Sequence, residues 1–268
     1  MSHVSEFSES EEMVCVAARL IENTTYFIGG GMPQLAVLLA QRLYAPDLMQ
    51  VYEYGVIGPR IALPFERHLE LANSKFNYKA CAWLNMNWTF FHASIGVLEY
   101  GMLGVNQIDQ YGNINTTFIG GDWHHPQMRL SGSGGANEIA SFCWRTITVM
   151  MHEQRRLVPR VDHVSSPGFL DGTPGARERA GLPKDTGPYR VVTSKGLFGF
   201  DEQTHRMKLL ALLPGTTLEE VRENMQFEPL VADPLEVLPP PTSEEARLLR
   251  EEIDPKRIVL GKGKMIRL

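Results

Sequence analysis

Residues 24–44 read TTYFIGGGMPQLAVLLAQRLY, and this stretch sets the fold. Thr24 to Ile28 is a short run with β character. Three glycines follow, Gly29 to Gly31. Pro33 then opens a segment whose apolar residues recur at helical spacing, and a proline in the first helical turn costs no backbone hydrogen bond. Strand, glycine turn and helix in that order form the repeating unit of parallel α/β folds. The glycines read either as a tight strand-to-helix turn or as a turn facing a ligand. They match neither a dinucleotide fingerprint nor a phosphate-binding loop, since no G-x-G-x-x-G and no Lys-Ser/Thr pair is present.

Outward from that unit, Glu11 to Ile21 reads as an amphipathic helix. Pro46 and Asp47 end the second helix, and LMQVYEYG reads as a strand ending at Gly55. Residues 56–80 are irregular. VLEYGMLGVNQID carries strand-like stretches broken by glycines, and RLSGSGGANEIASFCW reads as a strand edge, a glycine loop and a helix start. RTITVMMHE is a β-branched run expected as a buried strand. RVDHVSSPG and YRVVTSKGLFGF read as further strands, and MKLLALLP as the last strand of a meander. Thr217 caps a helix with Glu220 behind it. Residues 234–242 read as a proline-rich linker to a terminal helix, within one domain spanning 1–268. The expected architecture is α/β, an open, mostly parallel sheet flanked by helices.

The chain has 268 residues, enough for a sizeable core, and 43% of them are hydrophobic. A net charge of -5 argues against a general binder of nucleic acid or anionic membrane. Three cysteines without regular spacing give neither a disulfide framework nor a zinc pattern. The polar, acidic start is not a signal peptide, and no apolar run reaches the roughly 18 residues of a membrane span. A cytoplasmic protein is expected.

Four features carry candidate chemistry. Glu53 lies among a valine and two tyrosines at a strand end, where a carboxylate is costly unless paired or functional. A structural ion pair explains it as well as a catalytic role does. GSGGAN at 132–137 can turn successive backbone N–H groups toward one point, as an oxyanion requires, or simply turn the chain. His124 and His125 diverge as sequence neighbours and have no H-E-x-x-H or Cys partner, so no metal site is read there. His152, Arg155 and Arg156 follow a strand, where a phosphate or carboxylate could bind, or form a solvated face.

Taken together, these segments resemble the family I coenzyme A transferases, and within them the β subunits typified by that of glutaconate CoA-transferase. The carrying stretches are QIDQYGNIN (107–115), HHP (124–126), GSGGAN (132–137), MMHEQRR (150–156), SSPGFLDG (165–172) and RERAGLP (177–183), in matching order over nearly the whole chain. The resemblance implies the NagB/RpiA-like CoA-transferase fold. It implies that Glu53, in Glu53-Tyr54-Gly55, is the nucleophile that forms a mixed anhydride and then a glutamyl-CoA thioester. It assigns Gly134 and Gly135 to the oxyanion site, and Asn87 and Arg155 to the thioester and the CoA path. It implies no permanently bound cofactor, with the coenzyme A thioester as substrate. It also implies a homologous α subunit in a heterotetramer or hetero-octamer, with a carboxylic, dicarboxylic-type acid as acceptor. Two positions depart from the family pattern. Tyr54 replaces a small Ser or Asn, which would narrow the acyl pocket or add a donor. Ser194 stands where many relatives carry an acid. The same scaffold hosts hydrolases and decarboxylases, in which Glu53 would act as general base, and a supporting subunit without chemistry is a third reading.

Overall fold

The computed structural model describes residues 2–64 and 74–267. Part of the irregular stretch read at 56–80 therefore lies outside the described residues. Among the described residues, the centre is a ten-stranded sheet. Its strands are β1 (Thr25–Ile28), β2 (Met49–Val51), β3 (Val56–Ile57), β4 (Ala82–Trp83), β5 (Tyr100–Gly104), β6 (Arg145–Met150), β7 (Gly187–Thr193), β8 (Gly196–Phe200), β9 (Met207–Leu212) and β10 (Leu230–Val237). Their spatial order is β10-β9-β8-β7-β6-β5-β1-β2-β3-β4. The middle five, β7 to β2 in that order, are all parallel. Antiparallel pairs β7-β8, β8-β9, β2-β3 and β3-β4 extend both sides, and β10 runs parallel to β9 at one edge.

Period-two alternation divides the strand residues between two cores. Tyr26 and Ile28 of β1, Tyr100 and Met102 of β5 and Val192 of β7 face the core filled by helices α1 (Glu9–Arg19) and α2 (Met32–Leu43). Phe27, Leu103 and Val191 face the opposite core, which receives Ala93 from α3 (Met86–Ser94) and Ile139 from α4 (Ala136–Phe142). Ser8 and Glu11 close a reciprocal cap at the start of α1, which begins it two residues earlier than the apolar pattern does. Gly101 matters for the second core, because any side chain there would run into Ile139 of α4.

Three sequence expectations change. The strand in LMQVYEYG stops at Val51, because Gly55 N–H bonds to Tyr52 O at 2.9 Å and closes a turn over Glu53. RVDHVSSPG is not a strand: Pro159 and Pro167 bracket it without ladder donors, and its pairing reduces to the bridge between Ser166 and Ile114. MKLLALLP is not the last strand, since β10 follows it and takes in residues 234–237 of the expected linker. Pro234 is accommodated there because the β9-β10 register shifts between Leu209 and Ala211. Ser243–Arg247 then begins the terminal helix, which continues as a wider turn over Leu248–Ile253.

Candidate active site

Glu53 sits just past the carboxyl end of β2, half-buried, in the turn between β2 and β3. Tyr52 N–H donates to Val56 O at 2.9 Å and fixes the base of that turn. Gly55 takes φ of 100°, which only glycine adopts without strain, and a side chain there would collide with the Leu84 backbone. The close approach lets Leu84 N–H donate to Gly55 O at 2.8 Å. Thr89, buried one turn into α3, reaches Tyr52 O with its hydroxyl at 3.4 Å. The turn is thus tied to the segment that opens α3.

The glycine loop arrives from the other side. Gly134 adopts φ of 49°, and a methyl group there would lie 4.0 Å from Glu53 Oε1. Gly135 has ordinary helical angles, φ -78° and ψ -2°, so its backbone does not require glycine. Space does. A methyl group at Gly135 would sit 3.2 Å from Glu53 Cδ and 2.5 Å from Phe90 Cζ. Among the described residues, the N–H groups of Gly134 and Gly135 have no acceptor within the protein, and no side chain bonds or pairs with the Glu53 carboxylate. An unpaired carboxylate therefore faces two free backbone donors.

Buried polar contacts between the other motifs hold this loop in place. Gly132 N–H donates to Thr116 O at 2.7 Å and Leu130 N–H to Thr117 O at 2.9 Å. Asn137 Nδ2 donates to Ser165 O at 3.1 Å, while Ser165 Oγ accepts from Thr116 N–H at 2.9 Å. Asn113 spans to the same neighbourhood, accepting from Gly168 N–H and donating to Leu170 O. Arg177 closes the far end of α4 by donating to Ala140 O at 3.1 Å and Ser141 O at 3.2 Å. Its remaining contacts run to Pro167 O, Gly168 O and Thr186 Oγ1.

Known proteins resemble this chain in sequence and in fold. The family model described as Coenzyme A transferase matches residues 11–224. This chain belongs to the coenzyme A transferase family. It is 39% identical to the B-type chain of glutaconate CoA-transferase from Acidaminococcus fermentans over 263 residues, covering 95% of this chain and 96% of the relative. It is 31% identical to the B-type chain of 3-oxoadipate CoA-transferase from Pseudomonas knackmussii, covering 92% and 94%. The crystal structure of glutaconate coenzyme A-transferase from Acidaminococcus fermentans superposes with a TM-score of 0.86 at 37% identity, over 95% of this chain and 97% of that one. The mixed α/β sheet flanked by helices is the fold shared with that CoA transferase.

Of the residues singled out from sequence, the fold of this CoA-transferase chain brings Glu53, Gly134 and Gly135 together. Asn87 is exposed on the first turn of α3. Arg155 lies beyond the carboxyl end of β6, 71% exposed, with its Nε 2.7 Å from Glu153 Oε2. Arg156 shares the same carboxylate at 3.0 Å, which holds Glu153 below the usual carboxylate range against its desolvation. His152 is a core residue: Nδ1 is 3.0 Å from Thr193 Oγ1 and Nε2 is 3.0 Å from Val221 O. Burial brings its imidazole down to about 4. Ser194 is buried and accepts from His152 N–H at 3.1 Å, so its departure from the family pattern is absorbed by packing. Tyr54 packs against the first core with its hydroxyl buried and unpartnered, and burial raises that phenol to about 12. Its bulk goes under the turn. His124 and His125 are exposed, and their N–H groups both donate to Asp122 Oδ1. Among the described residues no cluster of His, Cys, Asp and Glu is placed to hold a metal ion, and no helix is long and apolar enough to cross a membrane. Sequence reasoning missed Phe90 and Asn137 as parts of the site, because only the tertiary contact marks them.

Proposed function

We propose that this chain is the nucleophile-bearing β subunit of a heteromeric, cytoplasmic CoA transferase acting through Glu53. The observation that carries the reading is the Gly134–Gly135 turn lying against the Glu53 carboxyl group. In the reaction, a Glu53 oxygen attacks the thioester carbonyl of an acyl-CoA, the C–S bond breaks and CoA leaves as thiolate. The resulting mixed anhydride is attacked at Glu53 Cδ by that thiolate, which expels the first carboxylate and leaves a glutamyl-CoA thioester. An acceptor carboxylate then runs the two steps in reverse, regenerating Glu53. Each tetrahedral intermediate carries a new oxyanion, and the free amides of Gly134 and Gly135 are the donors at hand. One such donor contributes about 2.7–4 kcal/mol to the barrier. Both relatives are named for dicarboxylic acids, which makes a dicarboxylic acid the favoured acyl partner.

Both relatives are also named as one of two kinds of chain in their enzymes. Trp83, Met86, Trp88, Phe91 and Ile95 are large apolar side chains left exposed on β4, α3 and the residue after it. They form a surface beside the Glu53 turn of the kind that a partner subunit covers. A homologous α subunit is the proposed occupant. Arg155 and Asn87 are proposed as CoA and acyl contacts completed within that complex.

The test uses the two-subunit complex and a panel of glutaryl-CoA, 3-oxoadipyl-CoA and acetyl-CoA, with and without acetate as acceptor. Borohydride added during turnover should reduce the enzyme thioester and leave a mass change confined to residue 53. CoA release at full rate without acceptor, and no change at residue 53, would replace transfer by hydrolysis.

A further inference from the structure

Gly135 poses a question that its backbone does not answer. Its angles are open to any residue, yet the space for a side chain is filled by the edge of the Phe90 ring, with Cζ at 2.5 Å and Cε1 at 2.6 Å from the Cβ position, and by Glu53 Cδ at 3.2 Å. The ring edge and the carboxyl carbon are therefore separated by no more than the sum of two short contacts. Phe90 is half-buried against the second core, and Thr89 and Ala93 on either side of it on α3 are fully enclosed. Trp88 and Phe91 pair with each other at 5.4 Å. Among the described residues Phe90 pairs with no ring, and its edge is given to the glycine turn.

We infer that Phe90 is a positioning residue that wedges the Gly134–Gly135 turn against Glu53 and keeps water from the carbon at which CoA is held. This rests on the transferase reading above. The competing reaction is hydrolysis of the glutamyl-CoA thioester. A water oxygen adds to Glu53 Cδ and the C–S bond breaks with its electron pair on sulfur. One water proton converts the thiolate to free CoA thiol and the other goes to solvent, restoring the Glu53 carboxylate. The same carbon must stay open to the acceptor carboxylate, which arrives bound and oriented. An apolar edge beside it selects against a small, unbound nucleophile.

The experiment measures partition in the two-subunit complex with the same acyl-CoA panel: free thiol released without acceptor against acyl transfer with acetate present. Phe90→Ala should raise the ratio of thiol release to transfer and lower kcat for transfer by roughly 100-fold, the scale of a misplaced reacting group, while KM for the acyl-CoA stays near that of the unmodified complex. Phe90→Leu, which restores apolar bulk, should lie between the two, and it carries the test if the alanine variant does not fold. A folded Phe90→Ala or Phe90→Leu complex with the unmodified partition would overturn the role of Phe90 alone. Absence of transfer in the unmodified complex would overturn the transferase reading and this inference together.

Discussion

Asn137 Nδ2 and the Ser165 carbonyl oxygen are 3.1 Å apart, and this bond links the first turn of α4 to the segment that crosses the Asn113–Asn115 strand. Ser165 in turn is held by Thr116 N–H and by the Thr117 hydroxyl at 2.6 Å. The glycine turn that faces Glu53 is thus fixed from below by side chains that never approach the reacting atoms. Asn137→Ala should lower kcat of the complex by roughly 10- to 100-fold through a turn displaced by less than about 1 Å. The cost in stability should stay near about 1 kcal/mol, that of one hydrogen bond. Single-turnover rates and denaturant midpoints compared on one preparation check both numbers. A large loss of stability with unchanged kcat would make Asn137 a fold residue only.

Gly135→Ala places a methyl group between Phe90 and Glu53. Overpacking of this kind costs about 1–3 kcal/mol of stability. Turnover should fall further, by about 10²- to 10³-fold, because the displaced turn withdraws a backbone donor from the oxyanion. Gly134→Ala strains a positive φ instead and should show a smaller loss of turnover. Thermal unfolding and kcat, measured for both, separate strain from lost catalysis.

The stability of the chain should fall as pH rises from about 6.5 to 8. Glu12 is buried on α1 with both carboxylate oxygens unpartnered. Desolvation raises its carboxyl to about 8, with Glu245 adding to the shift and Arg19 opposing it. The unfolded chain holds that group at 4.5, so the folded state binds the extra proton between 4.5 and 8. Its contribution is complete below 4.5 and is lost on the way to 8, by at most about 1.4 kcal/mol per pH unit. His152 acts oppositely, because its folded value of about 4 lies below 6.5 and its contribution is lost as pH falls through that window. The two offset one another between 4.5 and 6.5, and Glu12 acts without that counterweight above it. Glu12→Gln should flatten the upper part of a denaturation series run at half-unit steps.

Phe91→Glu puts a charge in the exposed apolar surface beside the Glu53 turn. Phe91 is 47% exposed in the isolated chain, so its folding should change by less than about 0.5 kcal/mol. Association with the partner subunit should be lost, read as failure to co-elute in size-exclusion chromatography. Co-elution with unchanged affinity would move the interface elsewhere.

The parallel core was legible because β1, the glycine turn and α2 follow one another within residues 24–44, and local pattern determines each. The β-branched content of Arg145–Met150 marked the central strand in the same way. Pattern failed where pairing is set by distant residues. Leu230–Val237 becomes a strand because β9 offers an open edge, which no window around Pro234 reveals. The strand end at Val51 depended on Gly55 meeting Leu84. Glu53 and the glycine pair were legible through motif order. Phe90 was not, since one aromatic among those of WTFF is marked only by the glycine it displaces.

Gly134 follows Glu53 in the chain by a distance that takes in β3, β4, α3 and β5 before the two meet. The nucleophile is therefore made early and its oxyanion donors late. A nascent chain, or a fragment cut before Gly134, carries the reactive carboxylate without the means to stabilise what it would form. Such a fragment cannot capture CoA esters, so catalytic competence becomes a readout of completed synthesis and closed topology.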